Sequence, residues 1–275
     1  MILLKAAATP RSQKPHKKGS YLMPRFQRPA IAALLALGFS LVAHAAEHAH
    51  WSYNAGTGPA QWAELDPDNR LCKAGFQQSP IALHTRKSTR LADQDIALHL
   101  GKAKGQLVNN GHTIQFNVAD AAPNRVAFKG GSYALAQFHF HTPSEHHLDG
   151  KSFPMEMHLV NKDVDGKITV VGVFIKPGAK NEALAQLWGQ LPAANGAPND
   201  GEVDLATLLP TSHKALLYSG SLTTPPCSEE VNWIVMEQPI EMSRQQIQAF
   251  QKLFRDNHRP IQRDHGRKVV EEAAM

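Results

Sequence analysis

Five residues near the middle of the chain, Gln137-Phe138-His139-Phe140-His141, constrain the fold more than any other segment. Successive side chains of a strand point to opposite faces of its sheet. Gln137, His139 and His141 therefore share one face, and Phe138 and Phe140 enter a core behind it. Two imidazoles at i and i+2 on a rigid strand can share one metal ion. A third ligand should come from a neighbouring strand, and Met155-Glu156-Met157-His158-Leu159 alternates in the same way. Glu156 and His158 face one side of it, with Met155, Met157 and Leu159 on the other. Three neutral imidazoles around Zn²⁺ leave a fourth position open, the pattern of a catalytic rather than a closed structural site. Gln137 and Glu156 are placed to accept from the outer ring nitrogens and so fix the tautomers. Other histidines read differently. His48 and His50 form a second H-x-H near the N-terminal end and are taken as incidental. His146 and His147 are adjacent, point to opposite faces and chelate poorly.

Period-two alternation dominates from about Gln106 onwards. Residues 105–118 read as a strand broken at Asn109-Asn110-Gly111. Arg125 to Lys129 and Ser132 to His141 read as a hairpin around Gly130-Gly131. Further strands are expected over 155–161, 167–176 and 231–237. Helical patterns are few, at 181–190 and 243–254, the second with Ser243 and Gln246 as a capping box. No repeat or Gly/Ser-rich linker divides the chain after residue 46. The fold class is mainly β (α+β), a single domain over 46–275 with a mostly antiparallel sheet and short peripheral helices.

The first 45 residues read as an address. Ile31 to Ala43 is an uncharged run of 13 residues, short for a bilayer, preceded by a basic stretch and followed by Ala43-His44-Ala45. This is the pattern of a secretory signal peptide, with Met23 an alternative start. Its seven basic residues (Lys5, Arg11, Lys14, Lys17, Lys18, Arg25, Arg28) have no acidic counterpart. The chain carries 29 Lys+Arg and 24 Asp+Glu, so the remainder holds 22 basic and 24 acidic residues, a net charge of −2. A nucleic-acid partner is disfavoured once those charges are assigned to the leader, and no membrane association is expected after cleavage. Export also bears on the only two cysteines. Cys72 and Cys227, 155 residues apart, form a disulfide in an oxidising compartment in preference to two buried thiols.

Several motifs, in order, resemble the α-class carbonic anhydrases over about Trp51 to Gln262. They are Gln78-Ser79-Pro80-Ile81, Asn109-Asn110-Gly111-His112, the QFHFH segment, Pro143-Ser144-Glu145-His146, Glu156-Met157-His158-Leu159-Val160, Leu222-Thr223-Thr224-Pro225-Pro226-Cys227, Trp233 and Asn257-His258-Arg259-Pro260. The resemblance implies a twisted central sheet of about ten strands. It implies zinc held by His139, His141 and His158, and reversible hydration of CO₂ to bicarbonate and a proton by zinc-bound hydroxide. Thr223 would orient the hydroxide and donate to Glu145, with His112 as proton shuttle. Asn257 joins Gln137 and Glu156 around the ligands. Tyr53 and Asn110 match positions that order a water chain, and Val160, Val170, Leu222, Thr224, Val231 and Trp233 would form the CO₂ wall. Cys72 and Cys227 match the paired cysteines of secreted members. Bacterial members are often dimers, so a homodimer and a periplasmic location are expected. His258 stands where many animal members have Trp, which implies different packing. A zinc-scavenging protein without catalysis would have no need of Thr223 and Glu145, and a member that had lost catalysis would lack a ligand histidine. No H-E-x-x-H motif supports a metalloprotease.

Overall fold

The computed structural model describes residues 50–90, 96–120 and 123–273. The expected signal peptide, its alternative start at Met23 and His48 lie outside them. The strands are, in chain order, β1 (Ala82–Leu83), β2 (Thr89–Arg90), β3 (Ala97–His99), β4 (Lys102–Asn109), β5 (Ile114–Val118), β6 (Arg125–Phe128), β7 (Gly131–His141), β8 (His147–Leu148), β9 (Met155–Lys162), β10 (Ile168–Pro177), β11 (Asn199–Asp204), β12 (Lys214–Ser221), β13 (Glu229–Met242) and β14 (Val270–Ala273). The helices are α1 (Trp62–Leu65), α2 (Leu71–Ala74), α3 (Glu182–Trp188) and α4 (Arg244–Leu253).

Twelve of these strands form one sheet in the order β11-β4-β5-β7-β9-β10-β13-β12-β14-β2, with β6 on β7 and β3 on β6; β1 pairs separately with β8. Two more strands are present than the ten expected. The short strands β14 and β2, the last two at one end of the sheet, have four and two residues, too few to display a period. Pairing is antiparallel except between β10 and β13 and between β14 and β2 in this sheet. Helix α4 begins as expected, with Ser243 and Gln246 making both halves of the capping box.

Alternation along β7 and β9 assigns the two faces. Phe138, Phe140, Met155, Met157 and Leu159 join one apolar layer with Val171 and Val173. Leu184 and Trp188 of α3 and Ile247 and Phe250 of α4 cover that layer. Phe138 and Phe140 are fully buried, and burial of such a ring stabilises by roughly 1.5–3 kcal/mol. On the opposite face, Val160, Val170, Val231 and Trp233 pack with Ile81 and Phe174 in a second cluster. Both faces of β9 are therefore covered, and seven of its eight residues are buried. That enclosure keeps the polar residues of the second face away from bulk water.

Candidate metal centre

An irregularity between Leu135 and Gln137 sets the register of β7 on β9. With Ala136 as the extra residue, His139 lies directly opposite His158 and His141 opposite Glu156. The three imidazoles converge, with ring centroids 5.0 Å apart for His139–His141, 5.4 Å for His139–His158 and 4.6 Å for His141–His158. One ring nitrogen from each lies within 4.8 Å of the others.

The outer nitrogen of every ring is already held. His139 Nδ1 is 2.8 Å from Gln137 Oε1, His141 Nδ1 is 2.8 Å from the Asn257 carbonyl oxygen, and His158 Nε2 is 2.8 Å from Glu156 Oε1. Each acceptor requires the proton on the nitrogen facing it. Lone pairs are left on Nε2 of His139, Nε2 of His141 and Nδ1 of His158. His141 Nε2 is buried with no hydrogen-bond partner. An orphaned acceptor of this kind is costly in a protein interior, and a cation between the three rings would relieve it. The all-imidazole donor set, with fixed tautomers, fits a zinc ion.

Burial favours the neutral, ligating form at two of the rings. Burial, together with the neighbouring imidazoles, pushes His139 well below the usual histidine range. Burial also lowers His141, with Glu145 opposing. His158 is raised, because the Glu156 carboxylate outweighs burial. Glu156 itself stays well below the carboxylate range although it is fully buried, because His146 and His158 outweigh desolvation.

His146 is a residue that sequence spacing undervalued. It makes no chelate with His147; its Nδ1 is 2.7 Å from Glu156 Oε1, its Nε2 is 2.6 Å from the Tyr218 hydroxyl, and its backbone N–H donates to Glu156 Oε2. His146, Glu156 and His158 are close enough to suggest a second metal group. Hydrogen bonds within the trio and to Tyr218 occupy both ring nitrogens of His146 and the outer one of His158, so this is a polar brace behind His158. Gly172 lies across the β9–β10 pair from His158, and a Cβ there would meet Glu156 Oε1 at 3.1 Å. Only the invisible consequence of a missing side chain marks that position in the sequence.

A cavity of about 240 Å³ opens beside the imidazoles. His139, His158 and Gln137 line it with Val160, Val170, Leu222, Thr223, Thr224 and Trp233. Val231, expected in the apolar wall, is instead buried among Val160, Val170 and Trp233 behind it. Glu145 is fully buried, and its Oε1 accepts from the Arg259 backbone N–H at 2.8 Å. Its Oε2 has no hydrogen-bond partner, so the expected Thr223–Glu145 bond is not made here. Oε2 lies 3.8 Å from His158 Nδ1. The Arg259 guanidinium is buried and donates to Gln78 Oε1, Ser79 O and Cys72 O; burial lowers it to about 10, which leaves it cationic at neutral pH.

His112 sits elsewhere, in the loop between β4 and β5. Gly111 has φ +85°, a conformation that favours glycine. Asn110 is exposed, and its Oδ1 accepts from the N–H groups of His112 and Thr113 at 3.0 Å, so it shapes the turn. His112 is half-buried and stacks on Trp51 at 3.7 Å and 9°, with His50 beyond at 5.2 Å. His50, read from sequence as incidental, is thus a neighbour of His112. Asn257 connects the two regions: its carbonyl holds His141, and its Nδ2 donates to the His112 carbonyl at 3.0 Å. Tyr53 packs against Trp51 and Trp62 beside the Cys72–Cys227 disulfide, whose Cα atoms are 5.0 Å apart. His258 Nδ1 lies 2.6 Å from Asp256 Oδ1.

The sequence model of the eukaryotic-type carbonic anhydrase family matches residues 57–273. A carbonic anhydrase of Pectobacterium carotovorum is 41% identical over 244 residues, covering 88% of this chain and 98% of that one. A carbonic anhydrase of Neisseria gonorrhoeae is 36% identical over 256 residues, covering 90% of this chain and 100% of that protein. Among solved structures, the α-carbonic anhydrase of Thermovibrio ammonificans in complex with sulfanilamide superposes with a TM-score of 0.77 at 41% identity, covering 81% of this chain and 99% of that one.

Proposed function

The chain belongs to the α-class carbonic anhydrase family, and from that premise we propose that it is a zinc enzyme that reversibly hydrates CO₂ to bicarbonate and a proton. The observation that carries the reading is the set of three inward ring nitrogens whose outer partners are all hydrogen-bonded. His139, His141 and His158 hold the ion, and Gln137, Asn257 and Glu156 keep their tautomers fixed. Zinc, when bound, acidifies a water ligand so that a hydroxide nucleophile is available near neutral pH.

The chain's own groups do the rest. Glu145, as a carboxylate, only accepts hydrogen bonds, and its Oε2 is still open to one. A Thr223 hydroxyl that donates to Glu145 can only accept from the attacking oxygen, which directs a lone pair of that oxygen at the substrate. Val160, Val170, Leu222, Thr224 and Trp233 give CO₂, a molecule without a net dipole, a largely apolar wall. Val231 supports that wall from behind. His112 collects the product proton, because an imidazole titrates near neutrality. Tyr53 belongs to the ordered surroundings of that path; Asn110 contributes by holding the His112 turn.

Location is part of the proposal. Residues 1–45 act as a signal peptide and the mature chain works in the periplasm. The disulfide supports an oxidising compartment. Among the described residues no helix is long and apolar enough to cross a membrane.

The test is CO₂ hydration by the purified chain, with and without a strong zinc chelator, and by His141→Ala. Activity that falls with zinc content in both arms is expected. Full activity in chelated or His141→Ala protein would sink the mechanism.

A further inference from the structure

A second cleft, about 490 Å³, has His112 in its wall and contains none of the three clustered imidazoles. Its lining includes His50, Tyr53, Lys252, Arg255 and Asp256. Lys252 and Arg255 are exposed and make no ion pair among the described residues. The one carboxylate, Asp256, is engaged by His258 at 2.6 Å. Burial raises Tyr53 well above the usual phenol range, so it adds no negative charge near neutral pH. The lining then carries one net positive charge, and a second when His112 is protonated.

We propose that this cleft docks an anionic proton acceptor of the phosphate class beside His112, held by Lys252 and Arg255. The proposal rests on the enzyme reading above, which makes His112 the exit for the product proton. In the transfer, an N–H bond of the His112 imidazolium breaks and an O–H bond forms on HPO₄²⁻. Neutral imidazole and H₂PO₄⁻ result, and no electrons change hands. Before transfer two negative charges face two positive ones; afterwards one faces one. The Coulomb attraction falls by about fourfold, so the spent acid leaves and a fresh dianion is preferred. Burial, with a contribution from His50, lowers His112 below the ordinary histidine value and eases release of the proton. The stacked Trp51 ring holds the imidazole at the cleft wall.

The test compares phosphate with imidazole as the only buffer for the zinc-loaded protein, at pH 7 and constant ionic strength. For K252A/R255A the phosphate concentration giving half-maximal turnover is expected to rise by about tenfold. The imidazole dependence, the limiting turnover and kcat/KM for CO₂ should stay within about twofold. In parallel, the His112 ring-proton resonance is followed by NMR as inorganic phosphate is added. It should shift saturably in the unsubstituted protein and much less in the double variant. Equal phosphate dependence in the two proteins, equal losses in both buffers, or a His112 resonance indifferent to phosphate would overturn the docking site. A protein that hydrates CO₂ in no buffer would instead refute the enzyme reading, and the NMR titration would still decide whether phosphate docks.

Discussion

At the scale of single residues, the roles of the polar side chains can be tested one by one. Glu156 is the acceptor behind His158, and replacing it by Gln removes the negative charge shared by His146 and His158 and sets an NH₂ donor against the His146 backbone N–H. Glu156→Gln should weaken zinc binding by about 10- to 100-fold, as loss of such supporting groups does elsewhere. Competition with a chromogenic chelator measures this directly, and unchanged affinity would contradict the bracing role. His112 gives a second prediction. Its folded-state value is depressed by burial, so the unfolded chain binds the extra proton as pH falls. The sign follows: stability from this group is fully present above the unfolded value, near 6.5, and is lost as pH drops towards the folded one. His112→Ala should therefore flatten that part of the urea-midpoint profile as pH falls below about 6.5. The same variant should slow turnover in weak buffer by up to about 100-fold, the low end for a positioned acid–base group, and added imidazole should restore it. The three clustered histidines were legible because a period-two pattern fixes which residues share a face. His146 and Arg259 were not legible as braces, since their partners Tyr218 and Cys72 lie 72 and 187 residues away in sequence.

At the scale of elements, the site depends on how three strands are held in register. The hairpins and β9 were readable from alternation and turn residues, because each signal is local. Whether β9 places His158 opposite His139 depends on the irregularity at Ala136, which no local pattern announces. Strand β12 escaped notice because six of its eight residues, Leu216 and Leu217 included, are buried on both faces and so do not alternate. Gly172 on β10 is the most exacting position in this respect. Gly172→Ala would put a methyl group 3.1 Å from Glu156 Oε1, tighter than an ordinary contact. It should displace the carboxylate and lower zinc affinity while costing roughly 1–3 kcal/mol of stability through overpacking. Chelator competition and urea unfolding of the same protein separate the two effects. Wild-type values in both would show that β10 gives way freely.

At the scale of the whole molecule, the disulfide and the proposed leader both concern where the protein works. The bridge closes a loop with a separation of 155 residues. In the chain-entropy view it stabilises by at most about 5 kcal/mol, and measured bridges of this kind range from about 2 to 5. Expression where thiols stay reduced should therefore lower the urea midpoint markedly, and reoxidation should recover it. Charge supplies the last prediction. The full chain has a net charge of +5 and a pI near 9.2, values that taken alone suggest an acidic partner. The seven basic residues of 1–45 account for more than that entire excess. If the proposed leader is removed after Ala45, 22 basic and 24 acidic residues remain with 13 partly protonated histidines, so the isoelectric point should fall from near 9 to about neutrality. Isoelectric focusing of the exported protein, with N-terminal sequencing of the focused band, tests the inference twice. A band near pH 9 with an intact N-terminus would return the basic segment to the working protein and reopen the search for an anionic partner. A band near neutrality beginning near residue 46 would make the positive charge a property of the leader, leaving Lys252 and Arg255 as a local basic pair on a nearly neutral chain.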